Sequence, residues 1–311
     1  MKRKALVTGG CGFIGSNLTD RLVKDYDVTI LDNLSSGSRK NIIHLSDIRF
    51  VKYDIGNIKG LRLALKDKDV VFHMAANPDV RKGIAQSDLD LKQETINTYR
   101  VLEVMRQNDV KEIVFASTSA IYGDHGNEIL KEGSGPMLPS SLYGAGKLAC
   151  EGLVSAFCHT YGLEGWIFRF ANVVGKRGNH GVVYDLINKL KENPKELEIL
   201  GDGEQEKPYI HVSDLINGMM FAYDDNKRFS NEKVHLYNIS TDGLTKVKDI
   251  ANMVTSGMGI KDTKYNYTGG KSGWPGDVPK YTLSYDKLLK LGWKAKYNSD
   301  EAIKKSIKEL I

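Results

Sequence analysis

The sequence predicts an α/β fold, a parallel sheet wound by helices on both faces and followed by a smaller portion built differently. Three observations predict it. A short apolar run, Ala5-Leu6-Val7, leads directly into a glycine-rich turn and then into a helical pattern. Strand-like and helical patterns then alternate up to about residue 172, as parallel strands joined by crossover helices require. Beyond residue 172 the alternation gives way to helical stretches separated by glycine-rich loops.

Taken in order, Ala5-Leu6-Val7 reads as a buried strand, and Thr8-Gly9-Gly10-Cys11-Gly12-Phe13-Ile14-Gly15 connects it to a helix over about Ser16 to Lys24. Gly9 permits the tight turn, Gly12 lets backbone approach a pyrophosphate, and Gly15 lets helix and strand pack closely. The helix start then offers N–H groups and a partial positive charge to phosphate. Val28 to Leu31 is the second strand and ends in Asp32. An acid there accepts hydrogen bonds from both hydroxyls of an adenosine ribose and repels a 2′-phosphate, which favours NAD over NADP. Asn33-Leu34-Ser35-Ser36-Gly37 is a polar loop.

Arg49 to Lys52 is a third strand, and the following Asp54-Ile55 is placed to flank an adenine edge. Val70-Val71-Phe72 is a fourth, followed by His73-Met74-Ala75-Ala76, where small residues let a flat ligand lie close to the backbone. His73 reads equally as a core histidine or a ligand contact. Leu89 to Gln107 reads as one long helix, Glu112 to Ala116 as a fifth strand, and Ser117-Thr118-Ser119 as hydroxyls at its carboxyl end, where open parallel sheets bind ligands. Ser141 to Tyr161 is a helix and Trp166 to Phe170 a sixth strand, from which Ala171-Asn172 leave the sheet. Residues 1–172 are therefore read as a Rossmann-like nucleotide-binding domain and 173–311 mainly as a substrate-binding portion, with 209–240 a candidate to rejoin the first. Helical patterns in the second half fall near 182–193, 213–223, 246–257 and 299–310.

Composition sets the class. The 311 residues are 27% charged and 41% hydrophobic, with a net charge of +5 and scattered basic residues. That is an ordinary globular balance, with no nucleic-acid arm and no membrane-binding stripe. The run after the basic Met1–Lys4 segment is too short for a signal-peptide core, and no apolar stretch approaches a membrane span. Cys11, Cys150 and Cys158 have neither disulfide nor metal-ligand spacing and fit a reducing cytoplasm.

The chemistry is expected at Tyr143-Gly144-Ala145-Gly146-Lys147. A tyrosine and a lysine four apart share one helix face. An ammonium near a phenol favours the phenolate, so the Tyr143 pKa is expected to fall toward neutrality, where a phenol serves as a general base.

Together these segments resemble the extended short-chain dehydrogenase/reductase family. The resemblance spans nearly the whole chain and also rests on Tyr122-Gly123, Arg169-Phe170-Ala171-Asn172, Tyr209-Ile210-His211-Val212-x-Asp214 and Pro275-Gly276-Asp277. Among its members, those inverting C4 of UDP-glucose are the most similar. The resemblance implies a tightly held NAD, contacted by Gly9, Gly12, Phe13, Ile14, Gly15, Asp32, Asn33, Ser36, Gly37, Asp54, Ile55, Ala75, Ala76, Tyr143 and Lys147. It implies Tyr143 as the acid–base at the sugar 4-hydroxyl, Thr118 as its relay and Lys147 on the nicotinamide ribose. It implies a UDP-sugar against Thr118, Asn172, Val182, Val183, Lys207, Tyr209 and Tyr281, no metal, and a homodimer formed through two helices from each subunit.

The chain departs from that pattern in places. Glu94 stands where the family usually has asparagine, and Lys207 and Trp274 stand where many members place arginines on the diphosphate. Related chemistries remain open: another nucleotide-sugar epimerase, a decarboxylase, or a 4,6-dehydratase. The dehydratases carry Asp-Glu after the threonine, whereas Ser119-Ala120 follows Thr118. A non-catalytic NAD-sensing scaffold is the alternative from another class, since fold does not fix function.

Overall fold

The computed structural model describes residues 2–229 and 232–311. The chain forms two compact units. The first comprises Met1–Thr118, Leu142–Arg169 and Met219–Tyr237, and the second Ser119–Ser141, Phe170–Gly218 and Asn238–Ile311.

A seven-stranded sheet dominates the first unit. Five of its strands are β1 (Arg3–Thr8), β2 (Tyr26–Asp32), β3 (Ile48–Lys52), β4 (Val70–His73) and β5 (Glu112–Thr118); the other two are Glu164–Phe170 and Val234–Ile239. Across the sheet the order is Val234–Ile239, Glu164–Phe170, β5, β4, β1, β2, β3. The pairs β1–β2, β2–β3, β1–β4 and β4–β5 are parallel, with Val7 opposite both Ile30 and Phe72. Ala5, Leu6 and Val7 are fully buried, as befits a central strand covered on both faces. The order reverses at β1, which opens a switch point beyond the carboxyl ends of β1 and β4.

Helices α1 (Phe13–Leu22), α2 (Ile58–Leu65), the short α3 (Lys82–Ala85), α4 (Asn97–Gln107) and α5 (Leu142–Tyr161) belong to this unit. Leu61, Leu65, Val101, Met105, Val154 and Phe157 from α2, α4 and α5 pack on Leu6, Val71, Ile113, Phe115 and Ile167 of the sheet. Edge-to-face aromatic contacts join Tyr26 to Phe72, Phe72 to Tyr223, and Tyr223 to Trp166.

Helix α1 begins at Phe13, three residues earlier than its pattern suggested, because Gly12 is already its N-cap. A Cβ at Gly15 would lie 2.1 Å from the Gly9 carbonyl oxygen, so only glycine lets the helix start this close to the turn. The expected single helix over Leu89–Gln107 is instead a π-helical turn, Leu91–Ile96, running into α4. Such a turn adds a residue to the helical repeat and redirects the side chains it carries.

The second unit has its own core. Helices Val182–Glu192, Val247–Gly257 and Ser299–Leu310 contribute Leu186, Leu190, Ile250, Val254, Ile303 and Ile307. Asn298 and Glu301 form a reciprocal capping box at the start of the last of these. Glu196–Ile199 pairs in parallel with Lys264–Tyr267, and Tyr209–His211 with Asn172–Val174. Among the described residues no helix is long and apolar enough to cross a membrane.

A buried ion pair ties three elements of the first unit together just below Thr118. The Arg169 guanidinium on strand Glu164–Phe170 donates to both carboxylate oxygens of Glu151 on α5, at 2.7 Å from Nη2 and 3.0 Å from Nε. The Ser117 hydroxyl on β5 donates to the same carboxylate at 2.5 Å. Removing one member of such a pair strands its partner's charge, which costs about 3–5 kcal/mol. Glu151→Ala is therefore expected to lower the unfolding free energy by about 3–5 kcal/mol, read as a lower urea midpoint at unchanged m, and an unchanged midpoint would show that the pair is not structural.

Candidate active site

The glycine turn forms a cradle at the switch point. Gly9 has φ +67°, and a Cβ there would come within 2.9 Å of the Ala75 amide nitrogen. Ala75 in turn donates its N–H to the Thr8 hydroxyl at 3.2 Å, so β1 and β4 are joined where the small residues lie. Helix α1 opens with no side-chain cap from Gly12 and no acidic residue in its first turn, leaving its positive end uncompensated. Asp32 is buried. It accepts the Cys11 N–H at 2.8 Å and the Leu34 N–H at 2.7 Å, one on each carboxylate oxygen. Each oxygen keeps a further lone pair for a ribose hydroxyl.

The polar loop closes on this turn. The Ser38 N–H donates to the Cys11 carbonyl at 3.0 Å, and a Cβ at Gly37 would collide with Cys11 backbone. Asn33 donates to Asp54 at 2.7 Å, bringing the two segments expected near an adenosine together, with Ile55 buried behind them. Ile14 and Ala75 are half-buried, while Ser36 and Ala76 are exposed. An uncapped helix start, a turn that only glycine can form and a buried carboxylate with spare acceptors fit a dinucleotide diphosphate and its adenosine ribose. Among the described residues no cluster of His, Cys, Asp and Glu could hold a metal ion.

The three strand-end hydroxyls have three different roles. Ser117 belongs to the Glu151–Arg169 pair, Ser119 donates to the Tyr281 hydroxyl at 3.0 Å, and Thr118 is hydrogen-bonded to Tyr143. Lys147 lies on the same helix face as Tyr143, its Nζ 5.9 Å from the centre of the phenol ring. Thr118, Tyr143 and Lys147 thus form one group; the four-residue spacing implied the Tyr143–Lys147 part of it, and the family resemblance the place of Thr118.

The electrostatics of that group differ from the expectation. Burial raises the Tyr143 pKa above its ordinary value; the Lys147 ammonium pulls it down, and Glu94 and Asp90 push it up again. The expected fall does not occur, first because the phenol is buried and then because Lys147 is already paired: its Nζ lies 2.9 Å from Glu94 Oε2 and donates to the Ala116 carbonyl at 2.9 Å. Nothing in local spacing signalled this, since Glu94 is 53 positions from Lys147 and on a π-turn. His73 proves to be a core residue. It is buried between the Thr8 and Thr98 hydroxyls, and burial followed by the nearby Lys147 charge lowers its pKa to about 3.

The second unit carries a group of its own. Tyr281 is buried and held by Ser119 and by the Asn172 backbone, and burial pushes its phenol up to about 12. The Asn172 side-chain nitrogen is buried without a hydrogen-bond partner. Lys207 forms an ion pair with Asp277, and its ammonium stands 5.4 Å from the centre of the Trp274 ring. Val183 and Tyr209 are built into this unit's core, and Val182, at the first position of its helix, packs at the margin of that core. The clamping role of Ser119 and the Trp274 contact to Lys207 were not legible beforehand; both depend on residues far apart in the chain.

Comparison with known proteins places these features in a family. Residues 5–240 match the model of the NAD-dependent epimerase/dehydratase family. A Methanocaldococcus jannaschii protein provisionally named UDP-glucose 4-epimerase is 34% identical over 97% of this chain and 96% of its own. The crystal structure of a Thermotoga maritima UDP-glucose 4-epimerase with UDP-glucose superposes with a TM-score of 0.87 at 30% identity, covering 98% of each chain. The Thermus thermophilus UDP-glucose 4-epimerase complexed with NAD gives the same TM-score and identity over 99% of this chain and 98% of its own.

The position of Asp32 yields a test. The purified protein is expected to release NAD rather than NADP on perchloric-acid extraction. Asp32→Ala is expected to retain NAD more weakly by roughly 1.5–3 kcal/mol, about ten- to a hundredfold in Kd. Recovery of mostly NADP, or unchanged retention, would remove Asp32 from the cofactor site.

Proposed function

This chain belongs to the NAD-dependent epimerase/dehydratase family, and we propose that it inverts C4 of a UDP-linked hexose, interconverting UDP-glucose and UDP-galactose through a transient 4-keto sugar. The observation that carries this reading is the Thr118–Tyr143 hydrogen bond beside Lys147 at the carboxyl end of β5. NAD, when bound, supplies the acceptor and donor of the C4 hydride.

Tyr143 takes the 4-hydroxyl proton as C4 is oxidised and returns it to the same oxygen as C4 is reduced on its other face. Thr118 passes that proton between the sugar oxygen and the phenol. Because one group acts as base and then as acid, it has to hold and release a proton with similar ease. Lys147 keeps one N–H beyond those given to Glu94 and Ala116, and we assign it to the nicotinamide ribose. Asp32, with the start of α1, holds the adenosine ribose and diphosphate.

In the second unit, Asn172 and Lys207 are assigned to the nucleotide diphosphate. The orphaned Asn172 nitrogen supports this, since a buried donor without an acceptor costs about 1–3 kcal/mol until something fills the place. Lys207 acts there as a point charge without the paired donors of arginine. A 4,6-dehydratase is disfavoured, because the position after Thr118 holds Ser119, engaged with Tyr281, and no carboxylate pair. Exposed Tyr99 on α4 and Tyr161 on α5 support a homodimer built through these two helices, and a cytoplasmic location accompanies the same reading.

Tyr143→Phe is expected to fold and keep its NAD while losing turnover by a factor of about 10²–10⁴. Near-parental turnover in the folded variant would refute the acid–base role. Tyr281 is assigned to the sugar's 2-position, where its clamped ring excludes an acetamido group. Overpacking of that kind costs about 1–3 kcal/mol, roughly ten- to a hundredfold in kcat/KM. UDP-galactose is therefore expected to be preferred over UDP-N-acetylgalactosamine, and Tyr281→Cys to narrow the gap. Equal values in the parent, or no gain in the variant, would remove Tyr281 as the gate.

A further inference from the structure

Glu94 has no part in the reaction just described, yet it is fully enclosed. It is 1% exposed, on the π-turn Leu91–Ile96. One carboxylate oxygen pairs with Lys147 at 2.9 Å, and the other accepts the Asn77 N–H at 2.6 Å. The Asn77 side chain donates to Asp90 at 2.9 Å, and Asp90 is itself 1% exposed. On the facing helix a Cβ at Gly146 would come within 3.2 Å of Glu94 Cβ, so a glycine immediately before Lys147 admits the carboxylate. The π-turn and Gly146 together deliver a negative charge to the ammonium from behind.

We propose that Glu94 is a positioning residue of the Tyr143–Lys147 pair: its buried carboxylate fixes the ammonium in place and balances its charge beside the phenol. The inference rests on the reading of Tyr143 as the acid–base. The other groups that face the pair do not supply this balance. His73 on β4 is held neutral, and the Cys150 thiol on α5 is pushed up to about 11 by burial and donates to Thr98. Thr118 on β5 is uncharged. Arg81, just before α3, and Lys82, its first residue, are exposed, and Arg100 on α4 donates to the Gly56 carbonyl and to Asn97 Oδ1. Asp90 lies beyond Asn77 on the same side as Glu94 and adds to its effect.

The sign follows from the charges. With Glu94 ionised, the phenol faces a balanced pair, and the stabilisation that a bare cation gives a phenolate is largely cancelled. Glu94→Gln keeps the shape and the acceptor for Asn77 but removes the charge, leaving the ammonium to act on Tyr143 alone. Tyr143 in the NAD-loaded enzyme is then expected to titrate about one pH unit lower or more, a tenfold change in its ionisation constant. The acid limb of the kcat/KM profile is expected to move down with it, while Glu94→Asp, which keeps the charge, stays near the parent.

The titration is read by NMR on enzyme labelled with ¹³C at the tyrosine ζ carbon, the Tyr143 signal being the one absent from Tyr143→Phe. If Glu94→Gln fails to fold, Glu94→Asn carries the same expectation. An unmoved or raised Tyr143 titration in the folded variant overturns the proposal. A lowered titration with an unmoved activity profile upholds Glu94 and counts instead against Tyr143 as the acid–base.

Discussion

An ammonium held out of water is the constraint around which the catalytic end of the sheet is arranged. Lys147 is 1% exposed, and burying an unpaired charge costs several kcal/mol. The cost is met by Glu94 and by the Ala116 carbonyl, which draws α5, the end of β5 and the π-turn onto one point. Much else at this end follows from the same charge. His73, kept neutral by its burial and then by this charge, serves as a link between Thr8 and Thr98. Glycine at 146 leaves room for the Glu94 side chain, whose Cβ would stand 3.2 Å from a Cβ built there. A second buried pair, Glu151–Arg169, secures the same helix one turn further along.

The parts legible in the sequence were those written locally. The glycines of the first turn, Asp32 at a strand end, the alternation through residue 172 and the four-residue spacing of Tyr143 and Lys147 each have a short-range signature. What was not legible depended on residues distant in sequence. The spacing of Tyr143 and Lys147 implied a lowered phenol pKa, but spacing says nothing about burial or about a third charge, and those two decide the direction. Three adjacent hydroxyls carry no local signature that separates them, and their partners do: Ser117 holds Glu151, Thr118 meets Tyr143 and Ser119 clamps Tyr281. The π-turn was likewise invisible, since its apolar pattern continues smoothly into α4.

Family and substrate rest on different residues. The match to the NAD-dependent epimerase/dehydratase family spans residues 5–240, which hold the cradle, the Tyr–Lys pair and the sheet. The second unit carries its more individual features: Lys207 paired with Asp277, Trp274 beside it, and Tyr281 held rigid. On the function proposed above, discrimination among nucleotide sugars is assigned to these residues, because hydride and proton chemistry at C4 is indifferent to what the rest of the substrate carries.

The route of the chain has a consequence for how the molecule comes into being. It leaves one unit for the other after residues 118, 141, 169, 218 and 237, so neither unit is a continuous stretch of polypeptide. The sheet begun at Arg3 receives its last strand only at Val234–Ile239, and the second unit awaits Ser299–Leu310. A chain emerging from the ribosome therefore presents Glu164–Phe170 as an edge strand until Val234–Ile239 has been made. An open parallel edge invites wrong pairing. The sheet is thus completed late in synthesis, and until then a strand that ends up covered lies at its border.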